Sequence, residues 1–134
     1  MVYLNGRFVK LKDAKVSILD RGLNYGDGLF ETMRAYSGNI FCIESHLERL
    51  FISAESIFLQ IPLTQQKMAS VIKKTIKKNL CSDAYIRLTI TRGSFPPGLL
   101  IDTSISPTIV VYVQSLKSTP KNYYNRGVGI SLFP

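Results

Sequence analysis

The chain has 134 residues, 46% of them apolar and 19% charged, which suits one globular domain and excludes a disordered polymer or a large two-domain enzyme. Seventeen Lys and Arg against nine Asp and Glu leave a formal charge of +8, which raises nucleic acid as a partner. One histidine, His46, and two well-separated cysteines, Cys42 and Cys81, exclude a zinc-type spacing and a centre built from several histidines.

VYLNGRFV reads as a hairpin, with Asn5-Gly6 as the preferred two-residue turn between short β-type runs. DAKVSILDRG follows, with Val16 and Ile18 alternating against polar neighbours. Gly28 to Tyr36 predicts a strand, and Ser37-Gly38 a second tight turn into NIFCI. In ESHLERLFISAESIFLQ the period changes. Leu47, Leu50, Phe51, Ala54, Ile57 and Phe58 recur at three and four, an amphipathic helix that Ile61-Pro62 is expected to stop. A second helix is predicted from about Thr64, as N-cap, to Asn79, with Met68, Val71, Ile72 and Ile76 on its apolar stripe. Lys73, Lys74, Lys77 and Lys78 fall on the opposite face at about 100° per residue, as a solvated surface does.

AYIRLTITR has strong β-composition, and GSFPPGLLIDTSIS is a loop punctuated by Gly93, Pro96, Pro97 and Gly98. PTIVVYVQ is nearly all apolar, which predicts a central strand. LKSTPKNYYNRG reads as a linker, and GVGISLFP as one further strand. The order β-β-β-β-α-α-β-β predicts an α+β fold, an antiparallel sheet with two amphipathic helices. Residues 1–116 are expected to form the main domain, 117–126 a linker, and 127–134 the first strand of a second, truncated domain. No apolar run is long enough for a membrane span, and MVYLNGRFVK is no signal peptide. Two thiols without an export signal predict a reducing, cytoplasmic setting.

Three stretches carry candidate chemistry. YGDGLF has Gly-x-Gly spacing, but a dinucleotide fingerprint needs a helix after its glycines and here a strand follows. The glycines instead suit a sharp turn and a close backbone approach, and a plain turn stands as the alternative. In HLER, His46 and Arg49 share a helix face. Arg49, beside an apolar stripe, needs an anion: a carboxylate such as Glu31, or a ligand phosphate. His46 alone suits a structural histidine as well as a catalyst. In AYIRLTITRG, Tyr85, Arg87 and Thr89 point one way and Ile86, Leu88 and Ile90 the other. The polar row is either a solvent face or the wall of a pocket for a small anionic substrate.

Together, DRGLNYGDGLFETMRAY, HLERL and YIRLTITRG resemble, in order and spacing along essentially the whole chain, the N-terminal domain of the fold-type IV (class IV) pyridoxal-phosphate aminotransferases. That family includes branched-chain aminotransferases, D-amino acid aminotransferases and aminodeoxychorismate lyases. The resemblance implies that Arg49 holds the cofactor phosphate. It implies that Tyr25, Phe30 and Glu31 line the substrate pocket, and that Tyr85 and Arg87 lie on the substrate side, as in branched-chain enzymes. The loop after TRG lacks the Arg-x-His carboxylate trap of the D-amino acid enzymes, Pro97 and Leu99 standing at those positions. It also lacks the loop arginine of the lyases. The nearest resemblance is therefore to a branched-chain aminotransferase, which moves an amino group between an amino acid and a 2-oxo acid, usually as a homodimer; an aminodeoxychorismate lyase or a D-amino acid aminotransferase of the same family is the alternative.

One family feature is missing. The lysine that forms a Schiff base with pyridoxal phosphate follows the first strand of the family's second domain, and this sequence ends at Pro134. Lys117 and Lys121 fall in the linker and do not match it. The resemblance thus implies no catalytic residue in this chain, no activity from the chain alone, and a missing C-terminal domain as partner. Neither metal nor nucleic acid nor membrane is expected at the site. A stand-alone binding domain using its basic helix on nucleic acid is the remote alternative, because that helix has no interleaved aromatics.

Overall fold

The computed structural model describes residues 1–101, 104–116 and 119–133. Strands β1 (Val2–Leu4) and β2 (Arg7–Val9) form the expected hairpin. Its turn residues Asn5 and Gly6 take φ values of 45° and 90°, the positive pair that a type I′ turn requires. Strand β3 (Gly28–Tyr36) turns through Ser37 and Gly38 into β4 (Asn39–Ile40). Strands β5 (Ala84–Thr91) and β6 (Thr108–Ser115) complete a six-stranded antiparallel sheet in the order β2-β1-β6-β5-β3-β4. The apolar β6 is interior to the sheet, as its composition predicts.

Strand parity sorts the two faces. Met33, Ala35, Ile86, Leu88, Ile90, Ile109, Val111 and Val113 are buried on one side. Helices α2 (Ile43–Ser56) and α3 (Gln65–Asn79) cover that side with Leu47, Leu50, Ala54, Met68, Ile72 and Ile76. Each such Leu or Ile contributes about 1.5–3 kcal/mol relative to exposure. Thr64 caps α3, its hydroxyl accepting from Lys67 N–H at 3.2 Å, and the lysines at 73, 74, 77 and 78 are exposed. Phe30, Thr32, Arg34 and Tyr36 of β3 lie on the other, uncovered side.

The structure corrects four expectations. NIFCI is not a full strand: β4 ends at Ile40, because Cys42 turns the chain at φ 48° and α2 begins at Ile43. Helix α2 ends at Ser56 rather than at Pro62; Phe58, at φ 53°, breaks it first. Inside the predicted linker, Lys121–Arg126 is a short helix, α4. Residues 127–133 form no strand and are exposed. Lys117 and Pro134 lie outside the described residues. DRGLNY is helical too, as the short α1 (Arg21–Tyr25).

Candidate functional site

The glycine-bearing stretch that leads into β3 is built as a polar knot. Asp20 caps α1, its Oδ1 accepting from Gly22 N–H at 2.8 Å. Its Oδ2 accepts from the hydroxyls of Thr91 at 2.9 Å and Thr108 at 2.7 Å, so this buried carboxylate ties α1 to β5 and β6. Gly26 ends α1 at φ 67°, a conformation that glycine adopts without strain. Gly28 then lies against β5 so closely that a Cβ there would stand 2.7 Å from Ile90 O and 2.9 Å from Thr91 Cα. The turn and the close approach expected of these glycines are both present.

Asp27, between the two glycines, receives Arg21 Nε at 2.9 Å and Arg92 Nε at 2.8 Å on one oxygen, Oδ2. Burial raises the Asp27 pKa. The hydrogen bonds and charges of Arg92 and Arg21 outweigh it and leave the carboxyl below its ordinary value. Arg21, Asp27 and Arg92 are the residues that motif reading passes over. The available signal is an arginine ahead of an acidic residue in a glycine-rich turn, together with an arginine at a strand end.

Glu31 follows three residues into β3 and faces the helices. Its carboxylate accepts from Arg49 Nε at 2.8 Å and Arg49 Nη2 at 2.5 Å, and meets His46 Nδ1 at 2.7 Å. The i, i+3 spacing of His46 and Arg49 on α2 brings both onto one carboxylate. Burial again raises the Glu31 pKa, and Arg49 and His46 pull the net value below the ordinary one. The Glu31 hydrogen bonds raise the Arg49 pKa. Of the two anions weighed for Arg49, the carboxylate is present in the fold.

Phe30 and Glu31 are neighbours on a strand and so point to opposite faces. Of the two residues expected at the substrate pocket, Glu31 is on the helix side, 4% exposed, and Phe30 on the open side, 57% exposed. Phe30 is joined there by Tyr85 and Arg87 of β5. The pairing of Thr32 with Arg87 sets Arg87 diagonal to Phe30, and the guanidinium stacks 3.6 Å from the Phe30 ring centroid. Beside Tyr85, a groove of about 590 Å³ is lined by Thr32, Arg34, Leu116, Lys121 and Tyr124 among others. Tyr25 is 44% exposed, its hydroxyl accepting from Gly98 N–H at 3.2 Å.

Residues 28–133 match the family described as amino-transferase class IV. The chain belongs to that family. Among curated relatives, this class IV chain is 50% identical over 108 residues to a putative branched-chain-amino-acid aminotransferase of Methanocaldococcus jannaschii, covering 81% of this chain and 38% of the relative. It is 34% identical over 119 residues to an aminodeoxychorismate lyase of Bacillus subtilis, covering 87% and 41%. A solved branched-chain amino acid aminotransferase from Escherichia coli superposes at a TM-score of 0.81 and 26% identity, over 86% of this chain and 40% of that one. The chain therefore spans about two-fifths of the length of these relatives. The expected α+β class IV fold is borne out, and the family it belongs to is pyridoxal-phosphate-dependent. Among the described residues, no helix is long and apolar enough to cross a membrane, and no group of three or more His, Cys, Asp or Glu could hold a metal.

Proposed function

We propose that this chain forms one wall of the cofactor and substrate site of a pyridoxal-phosphate-dependent class IV aminotransferase of branched-chain type. In this reading residues 1–116 are its N-terminal domain, 117–126 the connection, and 127–134 the start of a C-terminal domain that completes the cleft. The assembled protein is a cytoplasmic homodimer that acts on an amino acid and a 2-oxo acid.

The observation that carries the reading is the state of Arg49. Its Nε and Nη2 are spent on a buried carboxylate, its side chain is 67% exposed, and Nη1 makes no hydrogen bond among the described residues. A planar guanidinium held along one edge by Glu31 presents its remaining donors in a fixed direction, as phosphate recognition needs. Glu31 and His46 orient Arg49, and Arg49 binds the cofactor phosphate. Tyr25, Phe30, Tyr85 and Arg87 bound the substrate side, with Arg87 supplying charge for a substrate carboxylate. The residues present fit the phosphate end of the cofactor. In this reading the lysine that attaches to it lies elsewhere in the assembled protein; the described lysines are exposed on α3, on α4 or in the stretch from Lys10 to Lys15. When bound, the cofactor supplies an electron sink for charge developing at the substrate α-carbon.

Branched-chain transamination is preferred over D-amino acid transamination and aminodeoxychorismate lysis because Ser94–Gly98 holds no arginine or histidine to trap a carboxylate. The test is to express the protein as its gene encodes it and assay leucine and valine transamination beside pyruvate release from aminodeoxychorismate. Pyruvate release alone sinks the transaminase reading. The isolated 134-residue chain should give no stoichiometric borohydride-trapped adduct with pyridoxal phosphate, and such an adduct at one lysine would overturn the reading that the attachment lysine lies elsewhere.

A further inference from the structure

The Asp27 carboxylate is a junction between three segments that the site reading leaves without a task. Arg21 and Arg92 share its Oδ2, and the three side chains are 6%, 5% and 15% exposed for Arg21, Arg92 and Asp27. Each arginine also reaches a second segment. Arg21 Nη1 donates to Gly98 O at 2.8 Å, in the loop beyond β5. Arg92 Nη1 and Nη2 donate to Phe58 O at 2.9 Å and Ile57 O at 2.8 Å, just past the end of α2, the helix that carries His46 and Arg49. Those carbonyls belong to a helix end that has no further intrahelical donors to offer.

The Gly98 peptide is held from both sides. Arg21 takes its carbonyl, and its N–H goes to the Tyr25 hydroxyl at 3.2 Å. The Arg21 guanidinium also lies 4.8 Å from the Tyr25 ring centroid. Upstream, Phe95 N–H bonds Leu19 O at 3.3 Å, and Pro96 and Pro97 have no N–H to give. Gly98 is thus the next residue along the loop able to donate. Directly after it, Leu99 and Leu100 stand 85% and 87% exposed, an apolar tip whose position the Gly98 tether decides.

We propose that Asp27 is a positioning residue: by fixing Arg21 and Arg92 on one oxygen, it holds the Gly98 loop against Tyr25 and joins that loop to the end of α2. Physically, a guanidinium is a rigid fork, so fixing Nε fixes where Nη1 and Nη2 point. The neighbouring buried acid cannot substitute, because Asp20 is occupied by Gly22 N–H and the hydroxyls of Thr91 and Thr108. Without Asp27, two buried guanidinium groups face each other with no shared anion, and their aim at Gly98 and at α2 is lost. The tether stands on geometry alone. Only its consequence for substrate rests on the function proposed above.

The test is hydrogen exchange read by mass spectrometry on Asp27→Asn and Tyr25→Phe, in the protein as its gene encodes it. Asp27→Asn should raise exchange about tenfold in peptides covering 94–101 and 57–60, with β5 and the Glu31 strand unchanged. Tyr25→Phe, which removes one hydroxyl from a half-exposed side chain, should raise exchange in the loop alone. In turnover with a branched-chain amino acid, Asp27→Asn should raise KM about fivefold or more with kcat within about twofold. A rise spread over the whole sheet in Asp27→Asn, or no change in the loop in Tyr25→Phe, overturns the proposal. If Asp27→Asn does not fold, Tyr25→Phe decides. Loop loosening in a protein with no transaminase activity sustains the tether and sinks the proposed function.

Discussion

Glu31 and Arg49 form a pair with one buried end and one exposed end: the carboxylate side chain is 5% exposed, the guanidinium 67%, and two hydrogen bonds of 2.8 and 2.5 Å join them. Both residues bear on stability, and the exposed one on binding. Glu31→Gln keeps the shape but removes the charge that His46 and Arg49 share, and should destabilise the fold by about 1–3 kcal/mol. Arg49→Ala leaves the buried Glu31 carboxylate with His46 as its remaining partner, so it should destabilise the fold by a comparable amount, and it, far more than Glu31→Gln, should cost the protein as its gene encodes it most of its affinity for pyridoxal phosphate. Thermal unfolding and a cofactor titration on the same two variants check this. Equal losses of cofactor affinity in the two variants would contradict it.

The same carboxylates set an acid limit. Asp27 and Glu31 both have pKa values lowered on folding. Their contribution is therefore complete above the unfolded carboxylate values, about 3.9 for Asp and about 4.3 for Glu. It is lost as pH falls through the lower folded values, because the unfolded chain binds the protons first. Melting temperature should be flat with respect to these groups near neutrality and fall below about pH 4. Glu31→Gln should flatten that acid limb while lowering the plateau. A melting curve series from neutral pH downward reads both.

Much of this arrangement is legible in the sequence, and the failures have physical reasons. Strand β3 and helix α3 run where pattern and capping put them, because Gly28, Thr64 and the apolar period act locally. Pattern misplaces the ends of α2 and β4 because Cys42 and Phe58 adopt positive φ, which nothing in their residue type announces. The Glu31–Arg49 pair is foreseeable from the need of Arg49 for an anion. The separation of Glu31 from Phe30 follows from parity alone, once both are on one strand. The Asp27 junction is hidden, because its partners are 6 and 65 residues away in sequence and no spacing rule links them. Residues 127–133 have strand composition without strand pairing. A strand needs a neighbour to bond, and the described residues give it none.

Gly28 offers a sharp test of the reading that its motif serves close packing. An added Cβ would meet backbone atoms of β5 at 2.7 and 2.9 Å, and backbone cannot move aside as a flexible side chain can. Gly28→Ala should therefore destabilise by about 1–3 kcal/mol, the range of overpacking. Gly129→Ala, with nothing within 4 Å of the added Cβ, should stay within about 0.5 kcal/mol of the parent. Urea midpoints of the two variants decide it. A neutral Gly28→Ala would mean that β3 and β5 pair less tightly than the registered ladder from Gly28–Thr91 to Ala35–Ala84 implies.

Arg92 should be the most costly arginine to replace. It is 4% exposed, and its Nε, Nη1 and Nη2 satisfy one carboxylate and two helix-end carbonyls. Arg92→Ala strands the Ile57 and Phe58 carbonyls and leaves Asp27 to Arg21 alone, and breaking a buried pair from one side costs about 3–5 kcal/mol. Arg92→Lys should recover only part of this. An ammonium is a point charge on a flexible stem and cannot reach Asp27, Ile57 and Phe58 with the geometry of a planar fork. Arg7→Ala, at an exposed position of an edge strand, serves as the control and should lie within about 0.5 kcal/mol. Chemical denaturation with a constant m-value across the set would show that the differences are stability and not a change in the unfolded chain. If Arg92→Lys equals the parent, the charge alone matters at that site and the forked capping of α2 contributes nothing.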